Sequence, residues 1–235
     1  MIIEALYPEL CCLYGDMANI RYLAKCLPDA QIINTDFTDK PYFVDNDVDM
    51  VYIGSMSELT AEKVIQKLSP YKDRIKQLIA NDVTILVTGN AMSVLGEKII
   101  TDGKESPALG LYPFYTKRTM NSRHNSMFYG EFEGIEIVGY KSQFDFYYGI
   151  ENYDFIKVGA VVGNNPDDKF EGLRDHRLFA TSLIGPSLVL NPLFTKKMLS
   201  YMGSSAPLAF ENEVMEAYEY RLRELKQDGA QLIMH

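Results

Sequence analysis

The sequence predicts one α/β domain over residues 1–235: a doubly wound, mostly parallel sheet with helices on both faces, and antiparallel strands added in the second half. Three observations predict it. Strand and helix patterns alternate through the first hundred residues. The run at 83–88 (VTILVT) is almost continuously β-branched, as suits a strand buried on both faces. After residue 127, short strands follow one another across tight turns.

Residues 2–7 read as the first strand and 17–27 as a helix, with Met17, Ile20, Leu23, Ala24 and Leu27 on one face and Pro28 as its stop. Asp16, just ahead of it, has two readings, a place near the sheet's active edge or a cap on that helix, and taken alone the cap is favoured. Strands follow at 30–35 and 49–54. Two helical patterns come next, Ala61-Val64-Ile65-Leu68 and Tyr71-Ile75-Leu78-Ile79, the second opened by Ser69 as a cap with Pro70 at its first position. The strand at 83–88 then enters a strand-to-helix turn with Gly89 at its tip. Antiparallel strands are expected at 127–132, 135–141, 155–162 and 178–183, with turns at Phe132-Glu133-Gly134 and Gly163-Asn164-Asn165-Pro166. Phe210, Val214, Tyr218 and Leu222 give a packing face to a C-terminal helix. No repeat or linker divides the chain.

With 47% apolar residues the chain has material for a packed core, and a net charge of −9 without a basic cluster longer than Lys196-Lys197 argues against a nucleic-acid partner. Cys11, Cys12 and Cys26 are odd in number and lack CxxC spacing, so neither a disulfide framework nor a zinc site is expected. No run is apolar enough to span a bilayer and the first ten residues lack a signal peptide's features, which predicts a cytoplasmic protein. Neither GxxxxGK[ST] nor GxGxxG occurs, so no cofactor is expected. Asp167-Asp168 reads as a hairpin turn rather than a Ca²⁺ loop. His124, His176 and His235 read as solvated loop residues, and no metal site is expected.

The turn at 89–96 is where many α/β enzymes carry an exposed Ser or Cys nucleophile beside backbone N–H groups that form an oxyanion hole. Gly89 has no side chain to attack with. Thr88 and Ser93 read as structural, and Cys11 and Cys12 as packing residues between strand and helix.

The ordered stretches Leu6-Tyr7-Pro8-Glu9-Leu10, Leu13-Tyr14-Gly15-Asp16 with Asn19-Ile20, Asp49-Met50-Val51-Tyr52-Ile53-Gly54, Leu95-Gly96, Ile137-Val138-Gly139-Tyr140, Gly163-Asn164-Asn165, Gly185-Pro186 and Asn191-Pro192 run from about residue 4 to 202. In order and spacing the chain resembles class I (triad-type) glutamine amidotransferases of the cobyric acid synthase group, nearest to the small glutaminase subunits of lipid II isoglutaminyl synthases. The resemblance implies a flavodoxin-like fold that hydrolyses glutamine and passes ammonia to an ATP-dependent, Mur-ligase-like partner. In that family a Cys attacks the amide and a His is its base. Matching on Leu95-Gly96 puts Gly89 at the Cys position, and matching on Gly185-Pro186 puts Ile184 at the His position. The family's glycine-rich loop becomes Gly54-Ser55-Met56-Ser57-Glu58, and its Gly-Phe-Glu-Asn-His run becomes Gly139-Tyr140-Lys141-Ser142-Gln143.

The expectation is therefore a catalytically inactive glutamine amidotransferase-like protein, a binding or regulatory subunit of an ATP-dependent amide-forming ligase. Its glutamine or related small ligand would be met by Arg123, Gly54, Asn90, Ser93 and Gln143, with Arg118 the alternative to Arg123. The competing expectation is an active subunit using a non-standard nucleophile: Thr88, Ser93 or a cysteine. A third is an unrelated small-molecule pocket lined by 117–125 and 144–148. Gly89→Cys with Ile184→His is expected to bring a thiol and an imidazole within reach of each other.

Overall fold

Five neighbouring parallel strands form one side of the main sheet. The computed structural model describes residues 1–227, so His235 lies outside the described residues. In chain order they form β1 (Ile2–Leu6), α1 (Ala18–Cys26), β2 (Gln31–Thr35), β3 (Met50–Ile53), α2 (Glu58–Leu68), α3 (Lys72–Ala80) and β4 (Thr84–Thr88). Then come β5 (Lys98–Thr101), β6 (Lys104–Pro107), β7 (Tyr115–Arg118), β8 (His124–Phe132), β9 (Ile135–Gln143), β10 (Asp145–Tyr148), β11 (Asp154–Ala160), β12 (Phe170–Asp175) and β13 (Leu178–Thr181). Helices α4 (Ser187–Leu190), α5 (Pro192–Tyr201) and α6 (Glu211–Gln227) close the chain.

Nine strands make one sheet in the order β2-β1-β3-β4-β13-β12-β11-β8-β9. The first five are mutually parallel and every later junction is antiparallel. The alternation of side chains along β3 and β4 decides where the helices lie. Val51, Ile53, Ile85 and Val87 bury against Val64, Ile65, Leu78 and Ile79 of α2 and α3. Met50, Tyr52 and Leu86 bury on the other face with Ile20 and Leu23 of α1 and Phe194 and Met198 of α5. Both strands are thus buried along their whole length, as the β-branched run requires. Among the described residues no helix is long and apolar enough to cross a membrane.

Several expectations need correction. The segment at 178–183 is not purely antiparallel: β13 pairs antiparallel with β12 and parallel with β4, so it joins the two halves of the sheet. A second sheet, β10-β7-β5-β6, stands apart from the first. Its short polar segments, KESP and YTKR among them, carry no alternation by which to be read. Ser69 caps nothing; its Oγ donates back to Ile65 O at 2.7 Å, and Ser69–Tyr71 is a 3₁₀ turn leading into α3. Gly89–Leu95 is likewise a 3₁₀ turn rather than the start of an α-helix. In the C-terminal helix Val214, Tyr218, Leu222 and Leu225 are buried, but Phe210 precedes α6 with φ of 55° and is exposed. The left-handed residue turns it off the helical face.

The outer edge of β9 is closed by side chains. Asn191 Oδ1 accepts from Val138 N at 2.8 Å, and its Nδ2 donates to Val138 O and Ser187 O, both at 2.8 Å. Tyr218 Oη donates to Glu136 O at 2.7 Å. Asn191→Ala strands three buried main-chain groups at once, so it should cost about 2–4 kcal/mol of unfolding free energy. Urea titration should show a lower midpoint with an unchanged slope.

Candidate functional site

The carboxyl ends of β1, β3, β4 and β13 converge on one carboxylate, that of Asp16. After β1 the chain passes through a turn with Tyr14 (φ 57°) and Gly15 (φ 79°) in left-handed conformation, which points Asp16 inward, where it is fully buried. Asp16 Oδ2 accepts from Ser55 N and Ser55 Oγ, both at 2.5 Å, and from Thr88 Oγ1 at 3.1 Å. Oδ1 accepts from Gly185 N at 2.5 Å. Burial pushes the Asp16 carboxyl above its ordinary range, against the pull of these four donors. Of the two readings of Asp16 the place at the sheet's edge holds and the cap does not: Met17 is the N-cap residue of α1 and makes no side-chain cap bond. Behind Asp16, Tyr52 Oη donates to Asp16 O at 3.0 Å and accepts from Asn19 Nδ2 at 3.0 Å. Asn19 Oδ1 in turn accepts from Leu188 N at 2.9 Å, which ties α1 to α4.

Gly89 and Ile184 do come together. Gly89 N donates to Leu183 O at 3.1 Å, and Gly89 keeps φ of 64°, the sharp left-handed turn of a strand-to-helix nucleophile position. What is missing is room. A Cβ built on Gly89 lies 2.5 Å from Ser55 Cβ and 3.3 Å from Ser55 Oγ. Ser55 is held on Asp16 through both N and Oγ, so it does not swing aside. This corrects the expectation for Gly89→Cys with Ile184→His: the backbones are adjacent, but Ser55 occupies the space a thiol needs. Ile184 itself is buried, with its N donating to Tyr140 O at 3.0 Å.

The loop after β3 is closed as well. Gly54 packs so tightly that a Cβ there would lie 2.5 Å from Cys11 O. Met56 N donates to Asn90 Oδ1 at 3.0 Å while Asn90 Nδ2 donates to Met56 O at 2.7 Å. Ser55 N, on Asp16 Oδ2, and Met56 N, on Asn90 Oδ1, are thus both spent within the protein. Ser93 Oγ donates to Asn90 O at 2.7 Å and is buried. Thr88 is buried on Asp16 and Tyr52. Cys11 is buried, and desolvation pushes its thiol upward, so it stays protonated and inert. Cys12 is exposed.

Arg123 is exposed at the rim, its Nη1 donating to Tyr14 Oη at 2.9 Å and its guanidinium 4.4 Å from the Phe144 ring. Gln143 is buried, its Nε2 donating to Asp145 O at 2.6 Å and its Oε1 without a partner among the described residues. Arg118 is no alternative to Arg123: it is buried in a bidentate pair with Asp145 at 2.7 and 2.8 Å. That pair joins β7 to β10, and Tyr115 stacks on Tyr148 across the same ribbon. The segments 117–125 and 144–148 thus share one edge, where Arg118 and Asp145 are paired inward while Lys117 and Arg123 are exposed. His124 is not a loop residue; it opens β8, half-buried, 2.9 Å from Ser126 Oγ. Ser126 is fully buried.

One ionic group was unread in the sequence. Lys141 is entirely buried, its Nζ donating to Gly163 O at 2.6 Å and lying 3.8 Å from Glu171 Oε1. Glu171 also accepts from Thr181 Oγ1, Ser182 N and Ser182 Oγ at 2.7–2.8 Å. Burial lowers the Lys141 ammonium to about 8, opposed by Glu171 and Asp168.

No family model matches the chain. It is 28% identical over 225 residues to the lipid II isoglutaminyl synthase (glutamine-hydrolyzing) subunit GatD of Staphylococcus aureus, spanning 93% of this chain and 91% of that protein. The subunit GatD of Streptococcus pneumoniae is 29% identical over 210 residues, spanning 80% and 75%. A solved glutamine amidotransferase aligns with a TM-score of 0.57 at 14% identity, covering 86% of this chain and 99% of that one. Another, from Thermotoga maritima, aligns with a TM-score of 0.51 at 10% identity, covering 97% and 94%. The fold is that of glutamine amidotransferases.

Lys141 makes stability depend on pH in a stated direction. The unfolded chain keeps that proton to about 10.5, whereas the folded protein releases it near 8, so the unfolded state binds more protons between those values. Stability should rise as pH climbs through that window. Lys141→Met, followed by urea melts from pH 7 to 10, should abolish the rise.

Proposed function

We propose that this chain is a glutamine amidotransferase-like subunit of an ATP-dependent, Mur-ligase-like amide ligase, that it does not hydrolyse glutamine by a thiol–imidazole mechanism, and that it acts as a binding or regulatory module. Its place would be in the cobyric acid synthase group of the class I amidotransferases, as one doubly wound domain, and its partner's need for ATP puts the complex in the cytoplasm. Similarity to the GatD subunits over nearly the whole chain supports the subunit role. The loss of chemistry rests on the 2.5 Å approach of Ser55 Cβ to a Cβ at position 89. Covalent amide hydrolysis needs a nucleophile and a base. Gly89 and Ile184 supply neither, and the first position has no space for one.

What this face keeps is a means of holding a ligand. Arg123, propped by Tyr14 and stacked on Phe144, presents a guanidinium suited to a carboxylate. An amino acid bound there would sense or set the state of the complex without being hydrolysed.

Tagged protein recovered from its source cells should retain an ATP-dependent ligase in fixed stoichiometry; recovery of the chain alone would contradict the subunit role. The steric argument has its own check. Gly89→Cys should lower stability by about 1–3 kcal/mol through overpacking, and adding Ser55→Gly should recover most of that loss in thermal melts. Equal stability of Gly89→Cys and wild type would show that Ser55 does not fill the position.

A further inference from the structure

The guanidinium of Arg123 uses its hydrogen-bonding groups unequally. Both Nη1 hydrogens are taken, one by Tyr14 Oη at 2.9 Å and the other by Ser142 Oγ at 3.5 Å. Ser142 can only accept here, because its own hydroxyl hydrogen is donated to Asn125 Oδ1 at 2.8 Å, on the facing residue of β8. The Phe144 ring centroid lies 4.4 Å from Cζ and packs against the guanidinium plane. Nε–H and the two Nη2 hydrogens meet no acceptor among the described residues, and Arg123 is exposed.

This arrangement is built in at some cost. Tyr14 reaches Arg123 from the turn after β1, with φ of 57°, a left-handed conformation that a tyrosine does not adopt freely. The turn holds it there: Leu13 N donates to Ser55 O at 3.1 Å, and Asp16 N donates to Leu13 O at 3.2 Å. With Nη1 occupied, the one fork left to the guanidinium is its side, where Nε–H and one Nη2–H run parallel at the spacing of two carboxylate oxygens.

We propose that Tyr14 and Ser142 are positioning residues that leave Arg123 a single way to bind, side-on through Nε–H and Nη2–H to the two oxygens of a carboxylate-bearing small molecule. This rests on the reading of Arg123 as the anchor of the ligand. One fork with one charge suits a carboxylate better than a phosphate, which brings more oxygens and more charge. The cations in the adjoining strands cannot add to it, since Arg118 is spent on Asp145 and Lys141 on Glu171.

The test is calorimetric titration of the full chain with L-glutamine, L-glutaminamide and inorganic phosphate. L-glutamine should bind, and the other two should bind at least about tenfold more weakly. Tyr14→Phe, which keeps the ring and removes the hydroxyl, should weaken L-glutamine binding about tenfold through lost preorganisation, at an unchanged melting temperature. Arg123→Lys should weaken it further, and adding Tyr14→Phe to Arg123→Lys should then change nothing, because Tyr14 acts through the guanidinium. Wild-type affinity in Tyr14→Phe, or the same loss in both backgrounds, would overturn the positioning role and leave Arg123 as the anchor. Phosphate bound as tightly as L-glutamine would overturn the carboxylate assignment. No binding of L-glutamine by the wild-type chain, or binding unchanged in Arg123→Lys, would overturn this inference and the ligand reading together.

Discussion

The buried carboxylate of Asp16 is the contact on which the rest of the site depends. Its two oxygens take hydrogen bonds from the loops that follow β3, β4 and β13, while its own main chain follows β1. Four strand ends are thereby fixed relative to one another by one side chain. A carboxylate withdrawn from water is costly unless its lone pairs are filled, and here four donors fill them. Tyr52 and Asn19 extend the same network to α1 and α4.

From that constraint the closure of the space at Gly89 follows. Ser55 is anchored to Asp16 by both its N–H and its hydroxyl, so it is rigid where it meets Gly89. Gly89 retains the left-handed backbone of a nucleophile turn, yet the volume above it belongs to Ser55. Asn90 then binds both main-chain groups of Met56, which fixes the loop after β3 to the turn at Gly89. Farther out, Lys141 with Glu171 and Arg118 with Asp145 hold β9, β12, β7 and β10 in place by buried charge. Breaking either pair by removing one partner strands a charge in the interior.

Most of the first hundred residues is legible in the sequence because period 2 and period 3.6 patterns are clean there: α2, α3 and β4 stand close to where their apolar residues put them. Gly89 and Ile184 are matched in the sequence through a resemblance, and the hydrogen bond from Gly89 N to Leu183 O makes the two positions neighbours. Three features were not legible, for one physical reason: their partners are remote in sequence. Asp16 looks like a cap until Ser55, Thr88 and Gly185 are brought to it. Lys141 looks like a surface residue until β9 lies beside Glu171. His124 looks like a loop residue until β8 and β9 pair and seat it beside Ser126. The second sheet was missed because its strands are four residues long and mostly polar, so that pairing rather than pattern defines them.

The most direct measurement is glutamate release from glutamine by the chain purified together with its retained partner. Because Gly89 offers no nucleophile and Ser55 leaves no room for one, release should not exceed that of the partner alone. Release that needs this chain and is abolished by one substitution within it, Ser126→Ala or Thr88→Val for example, would contradict the account and locate a nucleophile outside the Gly89 turn.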